Sequence, residues 1–177
     1  KLIFNLCYKF FFMELKFKNY LTLYLLTLFS FSAFYLYIKH NVGNDSTISE
    51  WLINYSGGFT KRGIIGQISI FFSRLLYISL RDIIFVFQLV AISSYFLLIY
   101  YFLKNIKPKR IFLLAIFSPI FLLYPVAEIE VLARKEVFIF IILLTYTFIP
   151  PSKKNLKDLF TLTFLTIGIL IWEPLIF

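Results

Sequence analysis

The sequence predicts an all-α fold: a polytopic transmembrane helix bundle with about five spanning helices and one interfacial amphipathic helix. Three observations carry this. Of 177 residues, 60% are hydrophobic and only 15% are charged, where a soluble domain carries about 25% charged residues. Mean hydropathy is +0.86. The apolar residues fall in runs separated by short charged segments, the pattern of membrane helices alternating with loops.

The formal charge of +9 raises nucleic acid as a class of partner. The cations, however, sit in short segments between apolar runs, where they orient a membrane protein. The expected partner is therefore the lipid bilayer, and no nucleic acid is expected. Cys7 is the only cysteine and His40 the only histidine. They leave no intrachain disulfide and no His/Cys metal set, so neither a metal nor a cofactor is expected. His40, next to Lys39, reads as an interfacial polar residue. The chain starts at Lys1 and stops at Phe177 within an apolar run. This predicts a single membrane domain over 1–177 that is the N-terminal fragment of a longer protein, with Met13 a candidate start.

Residues 1–18 carry Lys1, Lys9, Lys16 and Lys18 against Glu14. The first span is 19–38, long enough at ~1.5 Å per residue to cross ~30 Å of hydrocarbon. Thr22, Thr27, Ser30 and Ser32 are tolerable inside it because hydroxyls can bond to helix backbone or to neighbouring helices. A polar loop over 39–63 leads into 64–81, where Gly63, Gln67, Arg74 and Arg81 fall near one face. That pattern suits an interfacial helix. The second span is 82–102, marked by Gln88, Ser93 and Ser94. Lys104, Lys107, Lys109 and Arg110 crowd the next loop. The third span is 111–125, with Pro119 expected to kink it. The fourth and fifth spans are 133–150 and 156–173. Their apolar runs, 137–149 and 159–172, are too short alone and draw on their flanks. The fourth thereby brings Arg134, Lys135 and Glu136 to the membrane boundary.

With five spans, the N-terminus and the loops 103–110 and 150–158 share a side holding eleven Lys/Arg and two acids. The other side holds seven of each. The positive-inside rule makes the first side cytoplasmic. The expected localisation is the cell membrane, multi-pass, with a cytoplasmic N-terminus. The polar clusters then all face outward.

Charges at membrane depth normally face protein or a wet cavity and often mark function. Glu128, Glu130, Arg134, Lys135 and Glu136 form one such cluster; a snorkelling helix end is its plain alternative. A second lies in Asn54–Gly63. Gly57 and Gly58 permit close backbone approach. Lys61, Arg62 and the amides at the start of the 64–81 helix suit an anionic group such as phosphate. This is not a Walker A loop, since Ile64-Ile65 stands where Lys-Ser/Thr is needed. Asp45, Glu50 and Glu173 are candidate general bases, because a partly desolvated carboxylate has a raised pKa. Asp45, in a polar run, also reads as a turn or cap.

Gly57-Gly58-Phe59-Thr60-Lys61-Arg62-Gly63, Arg134-Lys135-Glu136 and Trp172-Glu173-Pro174-Leu175 carry a resemblance. Together with an acidic outer loop, an amphipathic helix and short later spans, they resemble bacterial polytopic glycan-assembly proteins: GT-C-type glycosyltransferases and O-antigen polymerase-like proteins. The resemblance implies a glycosyltransferase or polymerase using polyprenyl-phosphate-linked sugars in surface polysaccharide assembly. Lys61, Arg62, Arg134 and Lys135 would hold phosphate, and Asp45, Glu50 or Glu173 would activate the acceptor hydroxyl. GT-C enzymes place an acid in the first outer loop; Asp45 or Glu50 matches, although neither belongs to an Asp-Asp or Asp-Glu pair. Two other classes stay open. Intramembrane charge and a kinked helix also suit a glycan flippase or small-solute transporter, and the chain also reads as a noncatalytic membrane subunit.

Overall fold

The computed structural model describes residues 2–42, 46–60, 62–104, 106, 110–118 and 123–171. Among them all regular structure is helical. α1 runs Leu2–Asn41 without a break, α2 is Ser46–Trp51, α3 is Ile64–Leu76 and α4 is Leu80–Leu103. α5 is Arg110–Phe117, α6 and α7 are the short Tyr124–Ala127 and Ile129–Ala133, α8 is Val137–Thr147 and α9 is Lys154–Ile171. Two stretches, Phe17–Asn41 and Leu80–Leu103, are long and apolar enough to cross a membrane. Tyr20, Leu23, Leu26, Phe31 and Phe34 stand exposed on α1. A helix face this apolar fits hydrocarbon, not water.

α4 is the axis of the bundle. α1 packs antiparallel to it. The Phe29 ring meets Phe96 edge to face at 5.8 Å, and farther along α1 the His40 ring stacks on Phe85 at 4.8 Å. α8 runs parallel to α4, because Ala133 is bonded to Gln88 while Phe140 lies 6.1 Å from Tyr95. α9 then runs back: Phe160 near its start meets Tyr146 at 6.3 Å, and Ile171 at its end joins Ile48, Trp51, Ile65 and Ile84. The main core lies between α1, α4 and α8, around Leu21, Leu36, Ile92, Tyr95, Ile99 and Val137.

The bundle thus has two unlike ends. One, the loop end, gathers the end of α1, α2, α3, the start of α4, the turn ahead of α8 and the end of α9. The other, the lysine end, has Lys18, Lys104 and Lys157. Lys104 Nζ sits 3.9 Å above the Tyr101 ring, and Lys157 Nζ 4.7 Å above Tyr146. Such pairs combine cation–π attraction with long apolar stems lying along the protein. α5 belongs to this end, since the Tyr24 hydroxyl donates to the Phe117 carbonyl at 3.1 Å.

Inside the helices, hydroxyls turn back to their own backbone. Thr22, Ser30 and Ser32 donate to carbonyls four residues earlier, and Thr27 to one three residues earlier, at 2.7–2.9 Å. This removes their polarity from the helix surface.

The structure departs from sequence expectation in three places. The expected 64–81 helix stops at Leu76, with Tyr77 left-handed at φ 55°. Ser79 caps α4 instead. Its hydroxyl accepts from the Asp82 amide at 3.2 Å and donates to the Asp82 carboxylate at 2.5 Å. The first of these bonds satisfies an amide that a continuous helix would not have freed. Asp82 also pairs with His40 at 3.1 Å, and the Arg81 guanidinium donates to the Lys39 and Val42 carbonyls at the end of α1. The expected third span is divided between α5 and the short α6; Pro119 lies outside the described residues. The fourth helix does not take in its flank: Arg134 is extended at ψ 169°, and α8 begins at Val137.

Two glycines set the loop end. A Cβ on Gly63 would lie 2.5 Å from the Tyr55 ring, and one on Gly66 2.0 Å from the Ile53 carbonyl oxygen. α3 therefore presses directly on the backbone of residues 51–53. Gly57 has open space around it. We expect Gly66→Ala to destabilise the fold by at least about 2 kcal/mol, since backbone cannot yield as a side chain does, and Gly57→Ala to be neutral. Thermal unfolding in detergent, followed by tryptophan fluorescence, checks both.

Candidate functional site

The candidate site is a buried polar junction at the loop end, built from three separate segments. Trp51 closes α2 and is fully buried. Its indole N–H donates to the Ala133 carbonyl at 2.8 Å, and the Gln88 amide from α4 donates to the same carbonyl at 2.8 Å. A carbonyl has two lone pairs, so both donors are accommodated. The interrupted backbone after α7 is satisfied by side chains, as an apolar interior demands.

Two residues on, Lys135 is only 2% exposed, and its Nζ donates to the Arg62 carbonyl at 2.8 Å. Arg62 is in the left-handed region at φ 68°, a conformation that costs a non-glycine residue about 1 kcal/mol or more and persists only where surroundings hold it. Lys135 supplies one such hold. Burial pushes the Lys135 ammonium down from 10.5 to about 8; the Glu50 carboxylate works against that shift and the Arg62 charge adds to it. Glu50 precedes Trp51, so the indole contact that docks α2 also brings a carboxylate toward the buried lysine. Arg134 and Glu136 flank Lys135 and approach one another to 4.0 Å, both half-buried.

The glycine loop folds over this junction through its own contacts. The Asn54 side chain accepts from the Ser56 amide at 2.8 Å and donates to the Leu52 carbonyl at 2.8 Å. The Thr60 hydroxyl donates to the Asn54 carbonyl at 2.9 Å. Gly58 takes φ +117°, which glycine adopts without strain. Tyr55 and Phe59 stack at 5.7 Å, leaving Phe59 79% exposed. The Gln67 side chain, from the first turn of α3, accepts from the Tyr55 amide at 3.4 Å.

Of the residues expected from sequence, the structure brings together Glu50, Arg62 and Lys135, with Arg134 and Glu136 alongside. Gly57 and Gly58 lie exposed in the loop, and Glu128 is exposed ahead of α7. Asp45, Lys61 and Glu173 lie outside the described residues, as does the side chain of Glu130. Among the described residues no three His, Cys, Asp or Glu side chains gather as a metal site would need. Sequence reasoning did not reach the joint role of Trp51, Gln88 and the Ala133 carbonyl. Gln88 is the one amide within 82–102, and a lone amide in a span calls for an interior partner; which partner is not written in the sequence.

The arrangement joins fixed cationic groups to a nearby carboxylate at the mouth of an apolar bundle. No protein-family model, no curated protein and no solved structure matches this chain.

The lysine carries a pH signature. Below about pH 8 it is charged in both the folded and the unfolded chain. Between about 8 and 10.5 the unfolded chain holds a proton that the folded one has shed, so raising the pH favours the fold. The thermal midpoint of the unsubstituted protein in detergent should therefore rise relative to Lys135→Met as the pH climbs through that window. Parallel curves would mean that Lys135 titrates normally.

Proposed function

We propose that the chain crosses the membrane five times with its lysine end in the cytoplasm. The directions of α1, α4, α8 and α9 support this, with residues 110–133 as a broken third crossing. α5 lies near Tyr24 at the lysine end and Ala133 near Trp51 at the loop end. A reporter fused after Arg110 should score as cytoplasmic; an extracytoplasmic signal overturns the orientation.

At the outward loop end, in this reading, the protein handles a polyprenyl-phosphate-linked sugar in surface polysaccharide assembly, as a glycosyltransferase or polymerase. One observation carries it: Lys135 and Arg62, 73 residues apart in sequence, meet at the loop end with Glu50 alongside. The Arg62 and Arg134 guanidinium groups bind the phosphate, and Lys135 positions Arg62 through its backbone. Lys61, outside the described residues, adds a fourth cation from the same loop. In transfer, an acceptor hydroxyl oxygen bonds to the sugar's anomeric carbon and the bond from that carbon to the phosphate oxygen breaks. The hydroxyl proton passes to a carboxylate, for which Glu50, Asp45 and Glu173 are the candidates. The cations stabilise the charge growing on the departing phosphate.

Arg62→Ala and Arg134→Ala, each tested in the native host, should lower surface glycan at least about tenfold; losing one charge-stabilising donor typically slows the chemistry about 100-fold or more. Unchanged glycan at normal protein level rejects the assignment.

A further inference from the structure

We propose that the groove between α1 and α4 at the lysine end binds one anionic phospholipid, with an acyl chain in the groove and its phosphate between Lys18 and Lys104. This site lies at the opposite end of the bundle from the junction above and does not depend on the function assigned there.

The groove encloses about 490 Å³ and is lined by Thr22, Leu25, Phe29, Ser93, Leu97 and Tyr100 among others. The Phe29 and Phe96 rings, edge to face, form its floor. Leu26 and Leu97 are more than half exposed, so it opens sideways, where a lipid chain would enter. Three residues with hydroxyls line it, Thr22, Ser93 and Tyr100. Two are turned back to their own helices: Thr22 donates to the Lys18 carbonyl at 2.8 Å and Ser93 to the Leu89 carbonyl at 2.7 Å. Apart from the Tyr100 hydroxyl, the surface offered to an occupant is carbon.

The mouth is cationic. Lys18 lies one helical turn before Thr22, and Lys104 one turn after Tyr100. Phe29 opposite Phe96 and His40 opposite Phe85 set the antiparallel register. That register puts Lys104 level with Leu21, within a turn of Lys18. Lys104 Nζ lies 3.9 Å above the Tyr101 ring and 5.7 Å from the ring of Tyr100, which lines the groove, and Lys18 is exposed. An apolar slot with two cations at one end matches a molecule with an apolar chain and an anionic head. A second copy of this chain matches poorly. Its lysine end, among the described residues, sets Lys9, Lys16, Lys18, Lys104, Arg110, Lys153, Lys154 and Lys157 against Glu14 and Asp158, so cations would meet cations.

The test titrates the purified protein in neutral detergent with dioleoyl phosphatidylglycerol or dioleoyl phosphatidylcholine and counts bound lipid by native mass spectrometry. The expected result is one retained phosphatidylglycerol, bound more tightly than phosphatidylcholine. Lys18→Gln combined with Lys104→Gln should weaken phosphatidylglycerol about 25-fold, about fivefold per lysine, while leaving phosphatidylcholine binding and the thermal midpoint unchanged. Leu97→Trp, which fills the groove from its exposed side, should lose both lipids. Equal affinity for the two lipids, a lysine double variant that keeps its preference, or a Leu97→Trp variant that keeps its lipid would each overturn the proposal. So would disulfide formation between copies of Leu97→Cys in place of lipid retention.

Discussion

The Ala133 carbonyl sits in an apolar interior, and there it must be met by a donor or the fold is penalised by about 1–3 kcal/mol. Trp51 and Gln88 both meet it at 2.8 Å. Much of the loop end follows from that requirement. The indole bond docks α2 onto the bundle and brings Glu50 with it. The amide bond fixes the turn after α7 against α4. With the turn fixed, Lys135 reaches the Arg62 carbonyl and holds a left-handed residue in place. α3 can then lie on the chain at Ile53 only because position 66 has no side chain.

The two ends of the bundle use polar residues in opposite ways. At the lysine end, Lys104 and Lys157 lie over tyrosine rings, with flexible stems and heads near the surface. At the loop end, an indole, an amide and an ammonium are buried and bonded across long sequence separations. Catalysis and tight recognition need groups held in set positions. Flexible surface cations suit the looser attraction of lipid headgroups. The two ends thus differ in how firmly burial holds their polar groups.

The helices were legible where the sequence repeats one physical demand over many residues. The apolar runs behind α1 and α4 are long enough that no other structure satisfies their backbone in hydrocarbon. The Ser and Thr residues inside them were legible for the same reason. The break between α3 and α4 was written in the sequence too, as Ser79 and Asp82 three residues apart. An amphipathic face running through to Arg81 concealed it. Arg81 and Asp82 were claimed by the α1 terminus, through Val42 and His40, a contact some 40 residues distant that local pattern cannot display. The flank of α8 stayed out of its helix for a similar reason: Lys135 has a partner in Arg62.

The sequence by itself determined the helical class, the long apolar segments of α1 and α4, and the loops in which charge collects. These depend on composition and on contacts a few residues apart. Only the tertiary structure decided that Lys135 is buried, that Glu50 and Arg62 lie beside it, and that Trp51 and Gln88 share one carbonyl. Those facts rest on hydrogen bonds spanning 45 to 82 residues, and a buried donor takes whichever acceptor packing places within reach.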